Sequence, residues 1–464
     1  MLLRRARWLA ALCLVPLAYA AVPKPAEWVP ARWPWADVES LDLLRGSPVN
    51  CLLLAKSSPE LIAAAGSRGI VTLIALQPGA NAAAEARSAL AARATGLVLD
   101  GDFADAAAAA VREAAGAAPV IELGPRSRMP LGSPAPIIGT DQGVWPGIVD
   151  EQDAKKAGPT GSAWIDTNTG FVRAVRAWGD AAVWLGNRPP AGAVITRARY
   201  LQAIADAAIS GARWVLAFDP DFAARLHRRD ADALADWRQM NELLRYFESH
   251  PEWRAMREYA KLAVVQDPAK GGLLSGGILD MIAVKHTPVK PVPPERLSAD
   301  ALNGATMAVN VDPGALTPAQ QEILRNFTRS GNTVLNGPPG WQDAAPGAGR
   351  ITLDQSELTR LNEIWRDINS MIGRRNLGVR LFNVSSMLSN VLSSADGKTV
   401  ILHLVNYSDY PVENVTVHFS GGFRKATLLT PEGVSKPLAI YREDDAQGVD
   451  IDKVSVCATI QLEQ

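Results

Sequence analysis

Between residues 47 and 222, short and continuously apolar runs alternate with Ala-rich amphipathic stretches. Eight strands are predicted, at Pro48–Ala55, Ile70–Leu76, Gly96–Asp100, Pro119–Leu123, Pro136–Thr140, Ala163–Thr167, Ala181–Leu185 and Arg213–Phe218. Helices are predicted between several of them, at Pro59–Ser67, Ala82–Ala92, Ala104–Ala115 and Arg199–Ser210. Strands that are apolar throughout, rather than alternating, belong to a parallel sheet covered on both faces. Eight such units predict an α/β fold, an irregular (β/α)8 TIM-type barrel that is helix-poor in its fourth and fifth connections. The same strands laid flat would make a doubly wound open sheet, which this pattern alone leaves as the alternative.

The pattern then changes twice. Asp219–Tyr259 is charged and helical, with Trp237, Leu243, Leu244, Tyr246 and Phe247 at amphipathic spacing. A second α/β block follows, with strands expected at Lys261–Gln266, Val289–Pro291, Ala305–Val311 and Thr333–Leu335. Its helix, Thr317–Ser330, opens with Thr317 as N-cap and Pro318 in the first helical position, and closes at Gly331. Residues 341–375 read as a helical connector containing Leu358, Leu361, Ile364 and Trp365. From about residue 376 the period becomes two, with runs at Lys398–Tyr407, Val412–Phe419, Lys425–Leu429 and Val454–Leu462. Short strands at hairpin spacing without helices predict a small β-sandwich. The expected division is a signal peptide at 1–20, a barrel with its lead-in at 21–258, an α/β domain with connector at 259–375, and a sandwich at 376–464.

The first twenty residues read as an export signal. Arg4, Arg5 and Arg7 precede the apolar run Leu9–Leu17, and Ala18-Tyr19-Ala20 supplies an A-x-A cleavage pattern before Ala21. That run is too short to span a bilayer, so a periplasmic or extracellular protein with no membrane span after cleavage is expected. Lys+Arg 47 against Asp+Glu 48 gives a formal charge of −1. Loss of the three signal arginines leaves 44 basic against 48 acidic residues, or −4. Such a balance argues against a nucleic-acid partner held by phosphate neutralisation. Cys51 and Cys457, the cysteines left after cleavage, both sit in apolar strand-like runs and are expected as buried free thiols.

The stretch Ala305-Thr306-Met307-Ala308-Val309-Asn310-Val311, then Leu316-Thr317-Pro318-Ala319-Gln320-Gln321, then Phe327-Thr328-Arg329-Ser330-Gly331-Asn332-Thr333-Val334 carries a resemblance. It is similar to the trimerisation domain of family-42-type β-galactosidases, itself related to class I glutamine amidotransferases. Leu402-His403-Leu404-Val405-Asn406-Tyr407 resembles the first strand of the sandwich that follows that domain. The resemblance covers about residues 260–460 in motif, and residues 47–222 in architecture only. It implies a glycoside hydrolase-like barrel, a flavodoxin/amidotransferase-like domain and a small C-terminal β-sandwich, acting on a carbohydrate and assembled as a homo-oligomer. One departure matters: residues 260–375 contain no Cys, and His286 stands alone there. Without a thiolate the amidotransferase chemistry is closed, and this block is expected to be structural or oligomerising.

Chemistry in a parallel barrel sits at the carboxyl ends of its strands. Those ends offer Asp100 and Asp102, Glu122, Asp141, Asp166 and Asn168, Asn187 and Arg188, and Asp219 and Asp221. Glycoside hydrolysis needs two carboxyls across the scissile bond, about 5–5.5 Å apart for retention and about 6.5–9.5 Å for inversion. The retaining barrel enzymes that the chain resembles place an acid/base Glu on strand 4 and a nucleophilic Glu on strand 7. Glu122 matches the first place, while Val183-Trp184-Leu185-Gly186-Asn187-Arg188 has no carboxylate for the second. The preferred catalytic pair is therefore Glu122 with Asp166, with Asp100 and Asp219 as alternates. Trp145, Trp164 and Trp184 are the candidate sugar-stacking rings, beside Asn168 and Asn187. Trp28, Trp33 and Trp35 are expected to plug the barrel bottom.

No metal or cofactor is expected. The sequence has no H-E-x-x-H, C-x-x-C, phosphate-loop or G-x-S-x-G pattern, and its five His are scattered. Gly271-Gly272-Leu273-Leu274-Ser275-Gly276-Gly277 lacks the Lys-Ser/Thr that would hold phosphate. Two functions remain in competition: a glycoside hydrolase-like enzyme using paired carboxyls, and a carbohydrate-binding or envelope scaffold whose barrel has lost catalysis.

Overall fold

The computed structural model describes residues 23–56, 58–146, 168–266, 286–337, 355–384, 386–443 and 446–464. Eight parallel strands pair in sequence order: β1 Pro30–Trp33, β2 Cys51–Leu54, β3 Val71–Leu76, β4 Gly96–Asp100, β5 Val120–Gly124, β6 Ile137–Thr140, β7 Ala182–Gly186 and β8 Ala212–Val215. The sheet closes on itself. Arg32 N donates to Leu216 O at 2.7 Å and Leu216 N to Pro30 O at 3.1 Å, with a parallel bridge between Ala31 and Leu216. Closure rules out the open-sheet alternative. Helices α1 Pro59–Ser67, α2 Ala82–Ala91, α3 Asp105–Ala115, α4 Asn168–Arg176, α5 Arg197–Ile209 and α6 Pro220–His227 complete the barrel units.

The strand assignment differs from the expectation in one place with consequences. Pro30-Ala31-Arg32-Trp33 is the first barrel strand, so Pro48–Ala55 contains the second and Glu122 lies on the fifth. The expected strand Ala163–Thr167 lies outside the described residues, as does the signal at 1–20, and the eight strands close without it. The β5–β6 connection carries only a single tight turn, Arg126–Arg128. Four prolines between residues 125 and 136 explain this, since each removes an N–H donor and clashes within a helix interior.

Alternation along the strands sorts the core into two layers. Cys51, Leu53, Val71, Leu73, Val98, Ile121, Leu123, Ile137, Trp184 and Val215 fill the barrel interior, with Trp28 at its amino end. The odd-phase partners, such as Leu52, Leu97, Val183 and Leu185, pack outward on the helices. Trp28 does plug the bottom, donating its indole N–H to Pro23 O at 2.8 Å. Trp33 and Trp35 do not: Trp33 faces outward onto Ser40, and Trp35 stacks on Phe218 and His227.

The second sheet is parallel, in the order Val289–Val292, Leu262–Val265, Met307–Asn310, Thr333–Asn336. Its helix Pro318–Arg329 is started by a reciprocal capping box between Thr317 and Gln320. The C-terminal part is an antiparallel sandwich of a four-stranded and a six-stranded sheet. The short strand Arg257–Glu258, which leaves the barrel, pairs with Leu392 and Ser393 at the edge of the larger sheet. That sheet turns one face to the sandwich core through Leu402, Leu404 and Ile460. Its other face, with Leu388, Leu392, Ile401 and Val405, joins the barrel's outer core. Polar groups in this seam are paired: Arg173 Nη2 donates to Asn390 Oδ1 at 2.9 Å, Tyr246 OH to Thr459 Oγ1 at 2.6 Å, and Tyr407 OH to Asp206.

Candidate functional site

The inward phase of the strands, continued one step past the apolar layer, places five polar residues at the carboxyl mouth of the barrel. Arg32 follows Pro30 on β1, Gln77 follows Ala75 beyond β3, and Asp100 follows Val98 at the end of β4. Asp141 follows Gly139 beyond β6, and Arg188 follows Gly186 beyond β7. Asp100 is the hub, with only 4% of its side chain exposed. Arg32 Nη1 and Nη2 donate to its Oδ2 and Oδ1 at 2.6 and 2.7 Å. Gln77 Nε2 and Arg188 Nη2 donate to Oδ2 at 2.9 and 2.7 Å. Gly186 makes room for this arrangement, because a Cβ there would come within 3.5 Å of Arg32 Nη2 and 3.2 Å of Thr140 O.

The two carboxyls of the mouth are driven in opposite directions. Burial alone would raise the Asp100 carboxyl, but Arg32, Gln77 and Arg188 outweigh it and hold it below the usual range. Asp141 is raised, first by burial and then by the neighbouring Asp100 charge. Its Oδ1 is buried without a hydrogen-bond partner among the described residues. Thus Asp100 is a fixed, neutralised anion, and Asp141 is the carboxyl at the mouth biased toward keeping its proton.

Loop 141–145 is held tightly. Asn168, buried at the start of α4, accepts from Val144 N at 2.9 Å and donates to Val144 O at 2.8 Å. Asn187 Nδ2 donates to Gly143 O at 2.6 Å, and Trp145 Nε1 donates to Arg188 O at 3.3 Å. A Cβ on Gly143 would meet the Trp214 ring at 2.7 Å, so this close passage requires glycine.

Several expectations are corrected by these positions. Glu122 does not enter the mouth. Its neighbours Ile121 and Leu123 point into the barrel, so Glu122 points outward, ion-paired with Arg112 of α3. There it lines a cavity of about 650 Å³ on the outer wall, with Phe103, Ala108 and Met129. Arg128 pairs with Asp102 and Asp105. Asp219 is the N-cap of α6: Oδ1 accepts from Asp221 N and Phe222 N, and Oδ2 from Tyr200 OH at 2.8 Å. Trp184 is wholly buried in the barrel interior, and Trp145 is buried edge-on against Tyr200 and Trp214, so neither ring is open to a sugar face. Asn168 and Asn187 hold loop backbone, as above. Asp166 and Trp164 lie outside the described residues. Cys51 and Cys457 are free and buried, and burial pushes both thiols up.

No known family profile matches the sequence, and no curated protein matches it. Among solved structures, α-L-fucosidase isoenzyme 2 from Paenibacillus thiaminolyticus aligns with a TM-score of 0.59 at 10% identity, over 92% of this chain and 96% of that one. A cold-adapted β-galactosidase from Rahnella sp. R3 aligns with a TM-score of 0.54 at 9% identity, over 94% and 98%. The fold is glycoside hydrolase-like. At these identities the likeness reaches the barrel and the C-terminal β domain and stops short of the chemistry. Among the described residues no cluster of three or more His, Cys, Asp or Glu is placed to hold a metal ion. None of their helices is long and apolar enough to cross a membrane.

The mouth residues that the sequence left unassigned are Arg32 and Gln77. Arg188 and Asp141 stood among the strand-end candidates without a role. The available signal was phase: each lies an even number of residues beyond an inward apolar position on its own strand.

Proposed function

We propose that the protein is a carbohydrate-active barrel protein, a glycoside hydrolase-like enzyme whose saccharide lies over the mouth at the ends of β4, β6 and β7. The observation that supports it is Asp141: a partly buried carboxyl, raised by its surroundings, with an unpartnered oxygen beside a fixed anion. A general acid in glycoside hydrolysis needs a carboxyl that holds its proton more tightly than usual until it is given to the leaving oxygen. Asp166 keeps its place as the second carboxyl of the pair, and Glu122 gives up the acid role to Asp141. A glycan-substrate screen of wild type beside Asp141→Asn and Asp166→Asn tests this. Loss of a general acid costs on the order of 10²-fold or more in rate. Turnover unchanged in Asp141→Asn defeats the assignment.

A second reading has its own observation. Asp100, the strand-4 carboxylate, is saturated by two guanidinium groups and Gln77, and cannot act as base or nucleophile while so held. A binding or envelope scaffold protein would tolerate this. Saccharide binding by wild type without turnover on any glycan favours that reading. Export with cleavage between Ala20 and Ala21, and homo-oligomer formation through the α/β block, belong to the same proposal. Intact-mass and light-scattering measurements on the periplasmic or secreted protein check both.

A further inference from the structure

The mouth sets Arg32 and Arg188 against Asp100 and Asp141, and one of its cations is displayed to solvent. Arg32 is 11% exposed and spends both terminal nitrogens on Asp100. Arg188 is different. It is 59% exposed, and only Nη2 is engaged, by Asp100 Oδ2 at 2.7 Å. Its Nε and Nη1 have no hydrogen-bond partner among the described residues. Two further contacts fix its position: its own carbonyl accepts from Trp145 Nε1, and the adjacent Asn187 ties down Gly143 O. The side chain is therefore a guanidinium pinned over the barrel mouth through one hydrogen of Nη2, which leaves the second Nη2 hydrogen and a neighbouring N–H as a donor edge turned to solvent. A pinned guanidinium has already lost part of the rotamer freedom that binding would otherwise remove. A planar pair of donors matches a carboxylate in a two-point contact better than it matches a hydroxyl. Asp100 cannot neutralise it fully, because that carboxylate is shared with Arg32.

Resting on the carbohydrate reading above, we infer that the mouth selects acidic saccharides, with the uronate carboxylate of the sugar seated on Arg188 and its ring lying toward Gln77 and Asp141. The exposed, only partly engaged guanidinium of Arg188 supports an anion here even though the chain as a whole is mildly acidic. A neutral sugar would leave the exposed edge of Arg188 to water.

The test is calorimetric, on the full secreted chain, with oligomers of galacturonate, glucuronate, mannuronate and guluronate. Each is paired with the same oligomer after chemical reduction of its carboxyls. The expected result is binding of at least one acidic oligomer about tenfold or more tighter than its reduced form, weakening as salt is raised. Arg188→Gln should erase that difference, and Arg188→Lys should keep part of it, since the charge remains and the fork is lost. Circular dichroism confirms the fold of both variants, whose altered side chain is largely exposed. Equal or tighter binding of the reduced oligomers overturns the inference and leaves the carbohydrate reading standing. An acidic preference that survives Arg188→Gln also overturns it. Binding of no oligomer in either form, when the glycan screen finds another saccharide that binds, overturns the inference alone; binding of no saccharide in that screen overturns the carbohydrate reading and the inference with it.

Discussion

Replacing Asp100 by Asn removes the negative centre of the barrel mouth while keeping its shape. The cost can be built up from the contacts. Arg32 and Asp100 are 11% and 4% exposed, so they are a buried pair joined by two hydrogen bonds. Removing one partner of such a pair costs about 3–5 kcal/mol, because the other charge is stranded. Asn retains one acceptor oxygen, which places the expected loss at the lower end, about 3 kcal/mol. Arg188 adds little, since at 59% exposure its contact with Asp100 is screened and is worth about 0.5 kcal/mol.

Urea unfolding followed by tryptophan emission reads this directly, since eleven of the thirteen Trp precede residue 260. With a slope on the order of 3 kcal/mol per molar, the midpoint should fall by about 1 M. The Asp100 carboxyl is depressed in the folded state. Its contribution is therefore complete above the unfolded value of about 3.9 and is lost as pH falls through the lower folded value. The gap between wild type and Asp100→Asn should accordingly be constant from pH 5 to pH 8. The double variant Arg32→Met/Asp100→Leu, with no stranded charge, should recover most of the loss. A midpoint shift below about 0.2 M, or a double variant no better than the single one, would refute the reasoning.

Three other outcomes are expected. Burial pushes Asp206 up to about 6, against the Tyr407 hydroxyl and the charges of Arg126 and Arg173. Its folded form therefore binds a proton more tightly than the unfolded chain, and the cost of its charge grows between about pH 4 and pH 6. Asp206→Asn should raise stability by about 2–3 kcal/mol at pH 8 and change little at pH 4, in thermal or urea titrations. Trp184→Ala should cost about 3–5 kcal/mol, because the ring fills the barrel interior; unchanged stability with lost saccharide affinity would return this Trp to the binding surface. Glu122→Gln should leave turnover or saccharide binding within about twofold and stability within about 1 kcal/mol, since Glu122 and Arg112 are 35% and 49% exposed.

The barrel was legible because parallel strands buried on both faces are apolar throughout, as in Val71–Leu76 and Gly96–Asp100. β1 was not. Its four residues include a proline and an arginine, and Pro34 follows them, so no apolar run marks it. Missing that strand moved Glu122 from the fifth place to the fourth and lent it a catalytic position it does not hold. The direction of Glu122 was hidden for a related reason. In Val120-Ile121-Glu122-Leu123-Gly124 both faces meet protein, and alternation then separates two cores instead of core from solvent. Its partner Arg112 lies on another element, which local pattern does not connect to it. The sandwich was legible in its period of two. The packing of the larger sandwich sheet on the barrel was not, since both faces of Met387–Ser393 and Thr399–Asn406 are buried for different partners.

The most direct test of the site is a crystal structure with a bound oligosaccharide that the wild type recognises. Asp141 and Arg188 should lie within hydrogen-bonding distance of the sugar, over the ends of β4, β6 and β7, with the Arg32–Asp100 pair intact beneath it. A sugar seated instead in the outer-wall cavity, against Glu122 and Arg112, would contradict the assignment of the barrel mouth.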